Sequence, residues 1–555
     1  MVGNYSIALI HCGNINIANS EDRRQKNMFF MPMGLFVLAS ELKKINIDVE
    51  IIHLDLESHK KLEDIIDFER IDAVGFDCHW ANQALSVIET ANLIKKIKPK
   101  IFVFLGGYTA SYFALEIIQN YPSIDAVVKG DGEVSIVELC KVISHSKSVN
   151  IQPIFDRIPN LVWRNAQQAP ETNEIFHVAT SESMSKLKYA DITLLRNWKF
   201  YRDLSRFWTR FPEINSQPLF LLEVGRGCKY NCSYCGGSAI AQTCISNRGR
   251  MVLRAVDSVI STIETACSYG YSMFYTCYEE LKLSEQWFID LFTRIRQKGI
   301  KISFGYGSWK LPSKELIDII SDSCIHAIFE ISPETSSEEL RRMNKDQRLF
   351  YSNYELEQCL YYIGTKRNCK VQVYFGYFMP DDTIVTIENT MEYIENLTRK
   401  YGNFMETKYS NLSTDPGSLM FVDPDKYGID IEVRTFADYL RAIKEYYVEN
   451  KNLTTVDMTM FRPKQMTKVE AYNASRMVLG LDLIKNSRLN ILTPLNEIIA
   501  DKKGNEVVRH YLKDKIKLLQ QKQFGRTNLF MLSTSFPVEL TRSTLKNISS
   551  EFEKI

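Results

Sequence analysis

Apolar runs of four or five residues alternate with longer amphipathic stretches through the first quarter of the chain. IALIH (Ile7 to His11), VEIIH (Val49 to His53), AVGFD (Ala73 to Asp77), IFVFL (Ile101 to Leu105) and AVVK (Ala126 to Lys129) have the continuous apolarity of strands buried on both faces. The segments between them, such as GLFVLASELKKI and ANQALSVIETANLIKKI, carry helical spacing. Residues 1–150 are therefore expected to form a five-stranded doubly wound α/β sheet, with any ligand at the carboxyl ends of its strands. Residues 151–213 are poorly periodic except for a strand signal at NLVWRN and read as a linker with a small hairpin. Strand-like runs return in PLFLLEVG, YSMFYT, KISFGYG, AIFEIS and VQVYFGYF, with helical stretches between them, so residues 214–425 predict a partial βα-barrel. From about Thr435 the pattern is helical, and residues 426–555 are expected to form a mainly helical region over the barrel mouth.

At 555 residues the chain needs more than one core. Its 68 Lys and Arg against 67 Asp and Glu give no field that favours nucleic acid or an anionic membrane. No apolar stretch reaches the length of a membrane span, and MVGNYSIALIHCGNIN lacks the basic flank and cleavage signature of an export signal. A cytoplasmic protein with reduced thiols is expected, so its 12 cysteines are candidates for binding rather than disulfides.

Three of them share one loop. Gly225-Arg226-Gly227 leads into Cys228, Cys232 and Cys235, a C-x-x-x-C-x-x-C spacing that can supply thiolates to three corners of a four-iron cluster and leave one iron open. A zinc site would require a fourth ligand, and only Cys244 lies near. In the first segment the strand ends carry Cys12 to Asn16 (with Asn14), Asp77 to Trp80 (with His79), the pair Gly106 and Gly107, and Gly130-Asp131-Gly132-Glu133. Such glycines either make ordinary tight turns or let a backbone approach a large flat ligand.

The cysteine spacing, with Tyr234 before the third cysteine, resembles the radical S-adenosylmethionine (SAM) superfamily. The Gly-Gly after strand four and the Gly-Asp-Gly-Glu after strand five resemble the flavodoxin-like cobalamin (B12)-binding domain at the front of one class of that superfamily. The resemblance implies a [4Fe-4S] cluster, SAM and cobalamin as cofactors, and an electron donor such as a flavodoxin or ferredoxin. It implies that Cys228, Cys232 and Cys235 hold the cluster, that Tyr234, Glu334 and Met379 contact SAM, and that Asn14, Asp77, His79, Gly106, Gly107, Gly130 and Glu133 lie against cobalamin. Glu330, Arg341, Arg342, Glu279 and Glu280 are further candidates on the SAM side, although a solvated helix face is the commoner role for the arginines. The Asp-x-His-x-x-Gly signature of cobalamin domains that ligate cobalt is absent from the first loop, HCGNINIAN; Asp77-Cys78-His79 resembles it but follows the third strand, where a hydrogen-bonded loop imidazole is the commoner role. STDPGSLMFVDPDKYGI resembles a stretch of cobalamin-type relatives and is also plain turn chemistry.

Three functions follow in order of expectation. The first is radical methylation of an unactivated carbon. The second is a radical rearrangement, cyclisation or oxidation without methyl transfer, and the third a non-catalytic iron–sulfur regulator. The substrate is open among a small molecule, a lipid and a peptide.

Overall fold

The computed structural model describes residues 5–13, 32–57, 60–149, 154–277, 283–412, 415–445, 461–478, 495–513 and 540–554, with 489, 491, 493, 529, 532 and 533. The first sheet contains β1 (Ser6–His11), β2 (Asp48–His53), β3 (Ala73–Asp77), β4 (Phe102–Gly106), β5 (Ala126–Val128), β6 (Leu161–Arg164) and β7 (Pro170–Thr172), in the order β2-β1-β3-β4-β5-β6-β7. β1 to β5 are parallel, as expected from their apolar runs, and stand in the doubly wound order 2-1-3-4-5. Helices Met33–Lys44 and Glu133–Val149 cover one face, and Ala84–Ile97 and Ala114–Asn120 the other.

The expected linker is corrected here. Its hairpin is part of the first sheet, with β6 antiparallel to β5. The stretch around Leu195 is fastened to the same unit, for Leu195 bridges Ile51 and Arg196 pairs with Glu50 at 2.7 Å, whereas Phe207 and Phe211 further on pack against Met273 and Ile328 of the second sheet. Leu161 and Val162 are fully buried, so pairing to an existing sheet edge gains both ladder hydrogen bonds and apolar burial that a free hairpin lacks.

The second sheet has six parallel strands. β8 (Leu219–Leu221) is followed by a two-residue pair, β9 (Gly225–Arg226) with β10 (Val252–Leu253), and then by β11 (Met273–Cys277), β12 (Ser303–Ser308), β13 (Ala327–Glu334), β14 (Cys369–Tyr377) and β15 (Met405–Asn411). Their order, β15-β14-β13-β12-β11-β8, is that of an open βα-barrel whose functional end lies at the strand carboxyl termini. One continuous core joins the two sheets, running from Leu9 and Phe104 to Phe220, Phe274 and Phe329.

Beyond the barrel an antiparallel pair, β16 (Ile429–Ile431) and β17 (Phe461–Pro463), interrupts the helical region. Helix Phe436–Ile443 packs on the first sheet through Phe436, Tyr439 and Ile443 rather than over the barrel mouth, and Glu116 accepts hydrogen bonds from the amides of Phe436 and Ala437 at its start. Phe461, Met466 and Ala474 do pack on Tyr377 and Phe378 at the end of β14, and so at the barrel mouth. No helix among the described residues is long and apolar enough to cross a membrane.

Candidate functional site: a cavity between the two sheets

A cavity of about 740 Å³ opens where the carboxyl ends of the two sheets meet. The first sheet contributes His11, Asp77, His79, Trp80, Gly106, Gly107, Gly130 and Glu133, and the barrel contributes Arg226, Cys228, Cys232, Tyr234 and Cys235. Residues more than 90 apart in sequence therefore line one space. Asn14, Glu279 and Glu280 lie outside the described residues.

The loop after β3 is set by Gln83. Its Oε1 accepts the amides of His79 (3.0 Å) and Trp80 (2.9 Å) while its Nε2 reaches the carbonyl of Cys12 at 2.8 Å. This fixes His79 edge-on to Trp80, with ring centroids 4.7 Å apart, and leaves the indole 52% exposed at the cavity. His11 ends β1 and lies beside Asp77 at the end of β3, Nδ1 to Oδ2 2.7 Å. Burial alone would lower the imidazole's pKa, but the charge and hydrogen bond of Asp77 outweigh it and raise it. Sequence reasoning missed His11, whose only signal was its place as the last residue of a strand.

The paired glycines have different roles. Gly107 has φ +98°, and a Cβ there would stand 2.8 Å from the Cys78 carbonyl, so the fold itself requires glycine. A Cβ on Gly106 would meet nothing nearer than the Val128 carbonyl at 3.8 Å; its bare face fronts the cavity.

On the barrel side, Cys228, Cys232, Tyr234 and Cys235 cluster with Tyr230, Trp309 and Leu349. The amide of Tyr230 donates to Cys228 Sγ (3.4 Å) and that of Asp346 to Cys232 Sγ (3.5 Å), bonds of the kind that tune cluster potentials. Burial pushes all three thiols up, so a metal taken up by them would have to displace their protons. Among the described residues no three His, Cys, Asp or Glu side chains converge closely enough for a single metal ion. Three thiols on one loop supply one ligand to each of three irons of a cubane, whereas a tetrahedral structural zinc would need a fourth protein ligand. Cys244 is exposed on the following helix. Asp415 of the Asp-Pro-Gly-Ser turn accepts the amide of Gly236 (3.3 Å), so this turn braces the cysteine loop.

Tyr234 donates from its hydroxyl to Glu334 at 3.2 Å, and Glu334 ends β13 with φ +69°. Met379 is fully buried just beyond β14, outside the cavity lining. Arg341 is taken up by the fold, its guanidinium donating to the carbonyls of Pro333 (3.1 Å), Tyr351 and Thr335 (2.6 Å each); Arg342 lies on an exposed helix face near Glu338.

Glu330 lies inside the barrel, where the Tyr275 hydroxyl donates to it, and burial raises its carboxyl from the usual 4.5 to about 7. The folded chain then keeps a proton between those values that the unfolded chain has lost, so stability falls as pH rises through the interval. Glu330→Gln, neutral throughout, should match wild type below the interval and exceed it above, by on the order of 3 kcal/mol. Melting temperatures across pH check this; an advantage independent of pH would contradict it.

Residues 28–140 match the B12-binding domain family. The fold is that of the radical SAM methyltransferase TsrM from Kitasatospora setae, a structure with cobalamin and a [4Fe-4S] cluster bound, with TM-score 0.61 at 14% identity over 99% of both chains. The chain carries a B12-binding domain on a radical SAM fold. Among curated relatives, hopanoid C-3 methylase from Methylococcus capsulatus is 24% identical over 205 residues, 37% of this chain and 35% of that protein. An uncharacterised methyltransferase from Pyrococcus horikoshii is 25% identical over 275 residues, 49% of this chain and 54% of that one. The chain thus spans about a third to a half of the length of these relatives.

The B12-binding half offers acceptors that suit cobalamin, whose rim carries amide N–H donors. Asp77 Oδ1, Glu133 Oε2 and the Tyr108 hydroxyl are buried without a hydrogen-bond partner among the described residues, and all three residues line the cavity.

Proposed function

We propose that the chain is a cobalamin-dependent radical SAM methyltransferase acting on an unactivated carbon, and that cobalamin and the cluster face each other across this cavity. The observation that carries this reading is the shared wall: strand-end loops of a B12-binding domain and a three-cysteine loop line the same space. When bound, the cluster would supply the electron that cleaves SAM to a deoxyadenosyl radical, and cobalamin a methyl carrier.

The chain's own residues divide the remaining work. Cys228, Cys232 and Cys235 would hold the cluster by three of its corners, leaving the fourth open to SAM. Tyr234 and Glu334 orient SAM through their mutual hydrogen bond, and Met379 shapes the strand end behind them. Gly106, Asp77, His79, Gly130 and Glu133 form the corrin side, to which Asn14, outside the described residues, is assigned from the sequence alone. Tyr275 and Glu330 give the barrel interior a polar wall beside Leu221, a cavity residue paired in register with Tyr275. The substrate is a small molecule, lipid or peptide, the electron donor a flavodoxin or ferredoxin, and the compartment the cytoplasm.

Methyl transfer coupled to radical chemistry consumes two SAM molecules per turnover, one as methyl donor and one as radical source. S-adenosylhomocysteine and 5′-deoxyadenosine should therefore accumulate in about equal amounts, alongside a substrate heavier by one methyl group. Deoxyadenosine rising with product while adenosylhomocysteine stays at background would replace methylation with rearrangement, cyclisation or oxidation. Neither product forming with any substrate would leave a non-catalytic regulator.

A further inference from the structure

Glu133 touches both halves of the site. It is the first residue of helix Glu133–Val149, and its Oε1 accepts a hydrogen bond from Arg226 at 2.7 Å. Arg226 also reaches Asp131 at 3.0 Å and Glu223 at 2.7 Å, and it stands two residues before Cys228. On the far side of the cysteine loop Arg248, whose side chain is 2% exposed, ends on the other oxygen of Asp131. The stretch bearing all three cysteines is thus gripped at both ends by the Gly130–Glu133 turn. The contact is close: Gly130 has φ +63°, and a Cβ there would lie 2.7 Å from Ser246.

The second oxygen of Glu133 makes the arrangement more than a structural clamp. Oε2 is buried, has no hydrogen-bond partner among the described residues, and belongs to a residue lining the cavity. A buried carboxylate oxygen without a partner is costly, and a donor on a bound ligand would relieve that cost. The same carboxylate would then be shared between the ligand and Arg226, so filling the cavity alters the hold on the cysteine loop. Asp131 lacks this property, since both its oxygens are engaged by the arginines.

We propose that Glu133 is a bridging, positioning residue that reports cobalamin occupancy to the cluster loop, Oε2 accepting from an amide N–H of cobalamin while Oε1 holds Arg226. This rests on reading the cavity as the cobalamin site. The test is hydrogen exchange by mass spectrometry on peptides covering residues 223–248 of the full chain, stripped of its cofactors, with and without hydroxocobalamin. In wild type, hydroxocobalamin should slow exchange of this loop at least about fivefold. Arg226→Lys, which leaves the cavity side of Glu133 intact, should retain the corrin absorbance through gel filtration yet lose the response. Glu133→Gln should lose the response too, whereas Asp131→Asn should raise exchange with or without the corrin. A wild-type-sized response in Arg226→Lys or Glu133→Gln would overturn the proposal, as would corrin binding to wild type with no change in the loop. Failure of wild type to bind hydroxocobalamin would instead remove the cofactor assignment beneath it.

Discussion

Alanine at Cys228, Cys232 or Cys235 should reduce bound iron from about four per chain to near zero, because two thiolates cannot hold a cubane against loss of its third corner. SAM cleavage should disappear with the iron. Cys244→Ala, on an exposed helical position, should retain the full complement. Cys232 is the most buried of the three and packs with Tyr230 and Leu349, so its replacement also leaves a small void. Anaerobic reconstitution followed by iron analysis and visible absorbance measures this. A triple alanine variant that still carried four irons would remove the cluster from these residues.

The second large effect separates two adjacent glycines. A bulky residue at Gly106 should leave the fold intact and abolish cobalamin binding, because its side chain would enter the cavity without striking protein backbone. Valine at Gly107 should cost several kcal/mol of stability, since it imposes φ +98° on a β-branched residue and drives a Cβ into the Cys78 carbonyl. Thermal melting and corrin absorbance of the two variants give opposite patterns. A Gly106→Phe protein that bound cobalamin like wild type would place the cofactor elsewhere.

This difference between Gly106 and Gly107 explains how far the sequence could be read. Both glycines follow the same apolar strand, and only the backbone path tells which is structural. The apolar runs from Ile7 to Lys129 were legible because strands buried on both faces have no polar register to obscure them. β15, Met405–Asn411, was not: its alternate residues Glu406, Lys408 and Ser410 break the apolar run that marks the other barrel strands. β6 announced itself as NLVWRN, but nothing local says that a short strand will join the edge of β5. In the site, the cysteines were legible because cluster ligation demands a fixed local spacing. The arginines around them were not, for Arg226 meets Asp131 across 95 residues and Arg248 meets it across 117.

The joint occupancy of one cavity is most directly tested by electron paramagnetic resonance of the holoprotein, with cobalamin in its Co(II) state and the cluster reduced. Two paramagnets sharing a space of about 740 Å³ should interact, so the cobalt signal should relax faster than in the cluster-free triple cysteine variant carrying the same cobalamin. Identical relaxation in the two proteins, with both cofactors present in the wild type, would contradict the shared site.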